Sequence, residues 1–470
     1  MISKEFKEQL KAIVGTDNVD DSNSGRTVYS YDATPKFQAL PDIVVAPRNV
    51  DEVAAVVRLC NETKIPIVAR GSGTNLCGDT CPLQGGVVLL FKHLNQILEI
   101  DKENLTITVQ PGVITKEICD AVEKIDLFYP PDPSSMKIST IGGNISENSG
   151  GLRGLKYGVT GDYVMGLQVV LPNGEIIRTG GKLTKDVAGY DLTSLFVGSE
   201  GTLGIITEAT LKLIPKPEAK KTILALYQVI EAAGQTVSSI IANKMIPTTL
   251  EFLDKSTLNA VEDFAKIGLP TDVEAILLIE QDGPEEIVER DIKRISEICR
   301  QQQAIDVQVA ASNEEAEKLT TARRAALSAL ARLKPTTILE DATVPRSEIA
   351  TMVKAIADIA KKYNVKISTF GHAGDGNLHP TCLTDVRNEE EMERVEDAFA
   401  EIFEKALKLG GTITGEHGVG IMKAPYLEWK LGKAGIDVMK GIKQAIDPNN
   451  IMNPGKLFAE KTRERMANIQ

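Results

Sequence analysis

The stretch Ile65-Pro66-Ile67-Val68-Ala69-Arg70-Gly71-Ser72-Gly73-Thr74-Asn75-Leu76 decides the fold. Its first five residues form an apolar run that predicts a buried strand, and a glycine loop follows directly. Consecutive backbone N–H groups in such a loop converge on an anion, and glycines let the backbone approach it closely. The loop is not the Rossmann fingerprint, because Leu76 stands where a third glycine would be and no obvious helix follows. We therefore expect residues 71–76 to bind a phosphate group in a different fold.

Strand and helix signals continue on both sides of this loop. Upstream, Ile43-Val44-Val45-Ala46 predicts a short strand, and Asn49 offers an N-cap to an amphipathic helix. Downstream, residues 86–91 predict a strand, residues 97–113 a hairpin and residues 116–124 a helix. A glycine loop alone is weak evidence of a nucleotide site, and this setting strengthens it.

Two further glycine-rich segments follow. Residues 139–158 are rich in glycine and asparagine, and because strands flank them we expect a wall laid against a large flat ligand. Residues 163–171 and 175–178 predict a hairpin, and residues 198–206 predict a tight turn that leads into a strand. The number of such segments favours a bound nucleotide cofactor.

Three of the four histidines lie close together in the second half of the chain. Lys366 to Phe370 is a β-favouring run, and Gly374-Asp375-Gly376-Asn377 is a compact set of turn formers, so a hairpin is predicted. With that turn, His372 would face His379. Opposed residues on an antiparallel pair have Cβ atoms roughly 4.5–5.5 Å apart, which lets two imidazoles bind one cation.

The segment Gly415-Glu416-His417-Gly418-Val419-Gly420 adds a carboxylate and a third imidazole. Glu416 is the natural third ligand, because two neutral nitrogens and one carboxylate leave coordination positions open for a substrate. His417 is then free to move protons. The alternative is structural: two histidines on a sheet surface and one in a glycine loop. The scarcity of histidine elsewhere favours a divalent metal site, which could hold zinc, manganese or iron.

Length and composition describe a globular protein. At 470 residues the chain predicts two or three domains, and 42% hydrophobic and 25% charged residues are typical of soluble proteins. The first ten residues predict an amphipathic surface helix rather than a signal peptide, and no apolar run approaches the ~20 residues of a membrane span, so we expect a cytoplasmic location. A net charge of −12 disfavours nucleic acid and anionic membranes. The six cysteines form no cluster-binding run, and Cys77 and Cys81 are expected to be buried thiols rather than a redox pair.

The glycine loop 71–76, the 139–158 segment and the 198–206 turn resemble, in this order and spacing, the FAD-binding domain of vanillyl-alcohol-oxidase-type flavoproteins. The two histidine stretches and Met452-Asn453-Pro454-Gly455-Lys456 narrow the resemblance to the branch of FAD-dependent 2-hydroxy-acid dehydrogenases. That branch contains glycolate oxidase catalytic subunits, D-lactate dehydrogenases and D-2-hydroxyglutarate dehydrogenase.

The resemblance implies an α+β protein with two domains. Residues 1–216 would form the two-part FAD-binding domain, with its core from about residue 38. Residues 217–470 would form a mostly antiparallel sheet-plus-helix substrate domain, and its last ~50 residues would return to the flavin. The composition agrees with this division, since charged helices and plain strands begin after Pro215–Lys220. Helices are predicted there at 229–243, 284–301 and 314–333, and strands at 248–253 and 275–280.

The resemblance also implies how FAD is held, with its pyrophosphate on backbone amides of 71–76. The expected cofactor-binding residues are Arg70, Gly71, Ser72, Gly73, Thr74, Asn75, Leu76, Pro131, Asp132, Ser139, Gly142, Gly143, Ser146, Asn148, Gly151, Tyr157, Gly158, Gly161, Glu200, Gly204, Ile205, Ile206 and Asn453. Some relatives attach the flavin through a histidine in these loops. Here the loops contain none, and His93 sits at a strand end, so we expect FAD to be bound non-covalently.

In the second domain the resemblance implies a sheet with helices on one side, which forms a lid over the flavin ring. It places the arginine that binds the substrate carboxylate at Arg323. Family members usually carry a tryptophan three residues before this arginine. Thr320 stands there in this chain, which leaves the register open to Arg324.

The implied reaction is oxidation of a small 2-hydroxy acid to the 2-oxo acid, with D-lactate as the first expectation. The metal would bind the substrate hydroxyl and one carboxylate oxygen, His417 would accept the hydroxyl proton, and the α-hydrogen would leave as hydride to the flavin. The alternatives are a glycolate or D-2-hydroxyglutarate dehydrogenase of the same branch, or a non-catalytic flavin subunit that only passes electrons. Because no cluster-binding motif occurs, electrons must leave for another acceptor, such as an electron-transferring flavoprotein, an iron–sulfur subunit, a quinone, a cytochrome or oxygen.

Overall fold

The computed structural model describes residues 2–458, and its internal contacts divide the chain into two units. The first unit contains the chain up to Ser149, Val159–Lys216 and the segment that begins at Glu416. The second unit contains Gly150–Gly158 and Pro217–Gly415. The chain therefore leaves the first unit, builds the second and returns to the first.

Helices occur in both units, and several of them begin at a residue whose side chain caps the first turn. Asn49, for example, accepts the Glu52 N–H at 3.0 Å and so caps the helix that follows it. The amphipathic N-terminal helix buries Phe6, Leu10 and Val14. The α-helices are α1 (Lys4–Val14), α2 (Asn23–Val28), α3 (Val50–Thr63), α4 (Thr115–Glu123), α5 (Ile141–Glu147), α6 (Gly154–Tyr157), α7 (Leu192–Phe196), α8 (Ile230–Ala242), α9 (Lys255–Ala265), α10 (Glu285–Gln301), α11 (Asn313–Arg324), α12 (Ala326–Leu330), α13 (Ile349–Lys362), α14 (Glu389–Lys408) and α15 (Leu427–Ile446).

Two main sheets form the first unit. Its strands are β1 (Val19–Asp20), β2 (Ile43–Val45), β3 (Ile67–Arg70), β4 (Val87–Leu90), β5 (Ile97–Asp101), β6 (Thr106–Val109), β7 (Leu127–Phe128), β8 (Val164–Val170), β9 (Ile176–Gly180), β10 (Ile205–Lys212) and β11 (Ile214–Pro215). The first sheet has the order β1-β2-β4-β3; its three longer strands are parallel, and β1 is antiparallel at the edge. The second sheet, β5-β6-β10-β8-β9, is antiparallel, and β7 pairs with β11 separately.

The parallel sheet is apolar on both faces, as a sheet of this kind requires. One face joins α1 and α3 in a single core cluster that includes Val53, Val57 and Ile43. The other face contributes Val68 and Val88 to a separate cluster. Each such side chain stabilises the fold by about 1.5–3 kcal/mol when fully buried. This packing fixes β3, and hence the start of the glycine loop at its carboxyl end.

One antiparallel sheet dominates the second unit, as predicted. Its strands are β12 (Ala219–Tyr227), β13 (Thr249–Asp254), β14 (Ala275–Gly283), β15 (Asp306–Val309), β16 (Thr336–Leu339), β17 (Ala342–Thr343), β18 (Lys366–His372) and β19 (Asn377–Thr384). Their order is β15-β12-β14-β13-β18-β19-β16, and β17 also pairs with β19. Strand β19 is buried at every position, so both faces of the sheet are covered there.

Two predicted segments contain details that the sequence did not indicate. The 139–158 segment contains helices α5 and α6. The Thr140 hydroxyl caps α5 by accepting the Gly143 N–H, and a Cβ on Gly142 would lie 2.6 Å from Pro111 Cβ, so these glycines serve close helix packing. The helix predicted over 314–333 is two helices, which divide at Ala325. No glycine or proline marks this break.

Candidate active site

The glycine loop after β3 offers an unsatisfied row of donors. Within residues 2–458, no backbone N–H of Gly71 to Leu76 donates a hydrogen bond to the protein. A Cβ on Gly71 would lie 2.1 Å from Thr140 Oγ1, and Gly73, at φ +69°, would place its Cβ 2.1 Å from Arg70 Nη2. Only glycine permits this conformation at these contacts. Orphan amides in a loop of this shape fit a phosphate group well.

A cleft of the first unit begins at this loop. The predicted cofactor residues that line it are Arg70, Gly71, Gly142, Gly143, Ser146, Glu200, Gly204, Ile205, Ile206 and Asn453. Asp79, Thr80 and Glu147 also line it, although sequence reasoning did not single them out. The cleft is therefore lined by Gly71 of the loop, by further glycines and by the carboxylates Asp79, Glu147 and Glu200, and its glycines let a cofactor approach the backbone closely.

Among the other predicted cofactor residues, five follow Gly71 in the glycine loop without lining the cleft: Ser72, Gly73, Thr74, Asn75 and Leu76. Asn148 uses its Oδ1 to accept the Gly161 N–H at 2.7 Å, which gives both residues a structural role within the first unit. Pro131, Asp132 and Ser139 belong to the first unit without lining the cleft, and Gly151, Tyr157 and Gly158 belong to the second. In the second unit the Tyr157 hydroxyl donates to the Asp282 carboxylate at 3.0 Å.

Three carboxylates meet in the first unit. Asp79, Glu147 and Glu200 each offer an oxygen within 4.8 Å of the others. Burial, followed by the charges of the neighbouring carboxylates, raises the pKa of Asp79 and of Glu147 well above the usual values. Lys456 is buried nearby and donates to the Cys81 carbonyl at 2.6 Å. Asp79 and Glu147 therefore hold their protons more tightly than isolated carboxylates do.

Glu200 also anchors the segment that carries Glu416 and His417. Its two oxygens accept the N–H groups of Val419 and Gly420 at 2.7 and 2.8 Å. On the other side of the segment, Asn75 Nδ2 donates to the His417 carbonyl at 3.5 Å. Asn453 completes the arrangement within the first unit by donating to the Glu200 and Asp79 carbonyls. His417 is thus held beside the predicted cofactor loop through its own backbone.

The histidine hairpin exists in the second unit, but its predicted register is wrong. The turn is Ala373 to Gly376, so His372 pairs with Asn377 and His379 pairs with Phe370. Gly376 fixes this turn, because it lies at φ +88° and its Cβ would be 2.0 Å from the Val344 carbonyl oxygen. The change moves the partner of His372 by two residues, which keeps both histidines on one face of the sheet.

The two imidazoles still meet as diagonal neighbours. Their ring centroids are 5.0 Å apart with perpendicular planes, and each ring offers a nitrogen within 4.8 Å of the other. Both residues are 3% exposed, so the alternative of two histidines on a sheet surface is wrong. The donor chemistry of this buried pair fits half of a divalent metal site.

Arg323 lies in the same part of the second unit, where it faces a carboxylate that the sequence reasoning missed. Its Nη2 is 2.6 Å from Glu251 Oε2, while Glu251 Oε1 is 2.8 Å from His372 Nδ1. Burial alone would raise the pKa of Glu251, but the charge of Arg323 and the contacts with His372 outweigh it and lower the pKa. Arg323 is buried whereas Arg324 is half-buried, which favours the predicted register at Arg323.

Two sequence signals could have identified the missed residues. Glu251 is a single carboxylate in the apolar strand Thr249-Leu250-Glu251-Phe252-Leu253, every residue of which is buried. A charge in such a strand requires a buried partner. Asp79 follows the glycine loop directly in Cys77-Gly78-Asp79, close to where the cofactor is expected. All six cysteines are buried, as expected for Cys77 and Cys81.

No helix within residues 2–458 is long and apolar enough to cross a membrane. The fold and the glycine-lined cleft together indicate a protein that binds a nucleotide cofactor. Family comparison makes this specific. The FAD binding domain family matches residues 41–180, and the family of FAD linked oxidases, C-terminal domain, matches residues 216–457. The chain therefore belongs to the FAD-linked oxidases, and its cofactor is FAD.

Three relatives match over most of their length. The chain is 72% identical over 466 residues to the glycolate oxidase subunit GlcD of Bacillus subtilis, with 99% of both chains covered. It is 38% identical to the subunit of the same name in Escherichia coli, over 91% of this chain and 86% of the relative. It is also 38% identical to a D-lactate dehydrogenase of Anaerostipes hadrus, with 97% of both chains covered.

Solved structures confirm the fold. p-Cresol methylhydroxylase matches with a TM-score of 0.80 at 20% identity over 96% of both chains. Alkyldihydroxyacetonephosphate synthase matches with a TM-score of 0.76 at 21% identity, over 97% of this chain and 86% of the other. The predicted vanillyl-alcohol-oxidase-type architecture, with an FAD-binding domain followed by an oxidase C-terminal domain, is therefore confirmed.

Proposed function

We propose that this FAD-linked oxidoreductase is a catalytic flavin subunit that oxidises a small 2-hydroxy acid, with glycolate as the first substrate to test. Glycolate takes this place because the relative with 72% identity is named a glycolate oxidase subunit. D-Lactate, the substrate first expected from the sequence, becomes the second candidate, supported by a D-lactate dehydrogenase at 38% identity.

The observation that carries this proposal is the group of buried polar side chains in the second unit. His372, His379 and Arg323 are each 3% exposed, and they surround the fully buried Glu251. A subunit that only relays electrons would require neither two imidazoles nor a guanidinium in its core, and buried charges are costly without a purpose. Such groups suit the binding of an anionic, hydroxylated substrate.

A divalent metal is part of the proposal. His372 and His379 would each supply a ring nitrogen, and Glu416 would supply a carboxylate oxygen. Glu416 follows Gly415 directly, and within the second unit a Cβ on Gly415 would lie 2.8 Å from Asn377 Cγ, the side chain of the residue paired with His372. When bound, the metal would lower the pKa of the substrate hydroxyl, as metals do for water.

The residues of the chain then divide the work. Arg323 retains N–H groups beyond the one that faces Glu251, and these would bind the substrate carboxylate by charge-assisted hydrogen bonds. His417 would accept the hydroxyl proton as the general base. FAD supplies the two-electron acceptor for the α-hydrogen, so the substrate loses two electrons and two hydrogens to become a 2-oxo acid. Electrons would then pass to a partner, either an electron-transferring flavoprotein or an iron–sulfur subunit.

Anaerobic stopped-flow measurement of flavin bleaching tests the substrate. Glycolate, D-lactate, L-lactate and D-2-hydroxyglutarate are mixed with the purified holoenzyme, and bound metal is measured by mass spectrometry on the same sample. We expect rapid bleaching with glycolate and one equivalent of a divalent metal per chain. Failure of every 2-hydroxy acid to bleach the flavin would overturn the proposal.

Three histidine variants test the separate roles. His379→Ala should lose the metal but keep FAD, because the glycine loop belongs to the other unit, and added metal should partly restore it. His417→Gln should keep both metal and FAD and lose flavin reduction by roughly 10²–10⁴, which is typical of a positioned general base. His93→Ala is the matched control, because His93 contacts Asn18 and is expected to change nothing. A metal-free His417→Gln that reduces normally once metal is added would reassign His417 as a ligand.

A further inference from the structure

Glu251 occupies a position that no part of the proposed mechanism uses. It is fully buried on β13, opposite His372 of β18 in the antiparallel ladder. Opposed residues of such a pair project to the same face, which brings the Glu251 carboxylate to the imidazole at 2.8 Å. The strand pairing itself therefore sets this contact.

Arg323 reaches the same carboxylate from helix α11. Its Nη2 lies 2.6 Å from the second oxygen of Glu251, and its guanidinium sits 4.8 Å from the centre of the Phe370 ring. The ring and the carboxylate together fix the plane and the position of the guanidinium. One carboxylate thus contacts both a proposed metal ligand and the proposed substrate-binding cation.

We propose that Glu251 is a positioning residue that couples metal binding to substrate-carboxylate binding. This inference rests on the proposed function, since it assigns the metal to His372 and the carboxylate to Arg323. Glu251 touches neither the substrate nor the metal. It acts through the two residues that do.

The coupling has two physical parts. A carboxylate accepts hydrogen bonds and does not donate them, so His372 must carry its proton on Nδ1, which leaves the Nε2 lone pair for a metal. Metal-ligating histidines commonly donate their second nitrogen to a carboxylate in this way. The second part is electrostatic. The positive charge of Arg323 partly neutralises the same carboxylate, so removing that charge alters how strongly Glu251 polarises the imidazole of His372.

Mn²⁺ affinity of the metal-stripped, FAD-loaded protein tests this coupling, with free Mn²⁺ measured by electron paramagnetic resonance. Glu251→Gln should weaken Mn²⁺ binding by roughly 10- to 100-fold, the usual effect of losing a ligand's supporting carboxylate. Arg323→Met should do the opposite and tighten binding by about threefold to tenfold, because Glu251 is left fully anionic beside His372. A merely structural role for Glu251 would weaken binding in both variants.

The matched control is Glu280→Gln, which neutralises another buried carboxylate on the neighbouring strand β14, 3.6 Å from Lys220. It should leave Mn²⁺ affinity and the KM for glycolate unchanged, whereas Glu251→Gln should raise that KM as Arg323 loses its fixed position. If Glu251→Gln does not fold, the double variant Glu251→Gln/Arg323→Met removes both charges together and should fold while binding Mn²⁺ weakly.

The outcomes separate this inference from the proposed function. A wild-type protein that binds no Mn²⁺ overturns the proposed metal site and the coupling with it. A wild type that binds Mn²⁺ and is bleached by glycolate, beside a Glu251→Gln variant with unchanged affinity and KM, overturns the coupling alone. An Arg323→Met variant that binds Mn²⁺ more weakly than the wild type also refutes the coupling. Opposite shifts in the two single variants support it.

Discussion

Glu200→Gln should loosen the segment that carries Glu416 and His417. Glu200 is 5% exposed, and its two oxygens accept the buried N–H groups of Val419 and Gly420 at 2.7 and 2.8 Å. Each bond to a carboxylate contributes about 1.5–3 kcal/mol. Glutamine can accept only one of them, as a weaker neutral bond, and its amide nitrogen then faces the other N–H. Relief of repulsion from Asp79 and Glu147 offsets part of this loss, so we expect a net cost of about 2–4 kcal/mol.

This cost applies to local opening, so amide hydrogen exchange measures it directly. Because 1.4 kcal/mol corresponds to a factor of ten, the amides of Val419 and Gly420 should exchange roughly 30- to 700-fold faster in Glu200→Gln. Exchange is followed by mass spectrometry on the peptide that spans them. The control is Glu208→Gln on β10, which removes the ion pair with Arg178 of β9 and should leave that peptide unchanged. Equal exchange in wild type and Glu200→Gln would refute the anchoring argument.

Three further predictions concern the substrate, the cofactor and pH. Arg323→Leu should raise the KM for the 2-hydroxy acid and cut kcat/KM by about 10- to 100-fold. It should also lower Tm, because Glu251 loses its ion-pair partner. If Arg324→Leu is defective while Arg323→Leu has normal kinetics, then Arg324 and not Arg323 binds the substrate carboxylate. Acid precipitation should release all FAD into the supernatant, and flavin fluorescence retained by the polypeptide would contradict non-covalent binding. Because the pKa of Asp79 is raised in the folded state, there is a pH window above the ordinary pKa of an aspartate in which the folded state binds a proton that the unfolded state has lost, so the free energy of unfolding should rise as pH falls through that window. In denaturant titrations, the free energy of unfolding of Asp79→Asn should depend less on pH than that of the wild type, although Glu147 still contributes to this dependence. Identical pH profiles in the two proteins would show that Asp79 does not cause it.

Much of the fold was readable from local pattern. The alternation around the glycine loop predicted β2, α3, β3 and β4, and Asn49 predicted the start of α3, because caps and apolar periods are local properties. Pairing is not local. The register of the histidine hairpin depends on Gly376, whose tight approach to the Val344 carbonyl oxygen involves the residue that follows β17, far earlier in the sequence. No local signal reports that contact.

The site shows the same division. His372 and His379 stand out in the sequence because histidine is rare here, and a two-residue error in register left them on one face. Glu251 was missed because its role depends on its contacts with His372 and Arg323, which lie on β18 and α11. The apolar run around Glu251 indicates that the carboxylate needs a buried partner, but only the fold shows which residues supply it. Asp79 and Glu147 likewise become chemically distinct only when Glu200 is placed beside them.

The return of the chain to the first unit has a consequence for biosynthesis. Ile67 of β3 exchanges backbone hydrogen bonds with residues on either side of Met452, and Lys456 donates to the Cys81 carbonyl. During translation the glycine loop is synthesised early, whereas the residues around Met452 and Lys456 that make these contacts are synthesised only after the whole second unit. The first unit therefore remains incomplete while the second unit is translated. FAD should therefore bind only after nearly the entire chain has been synthesised. A chain that terminates prematurely anywhere in the second unit should lose FAD binding as well as substrate binding.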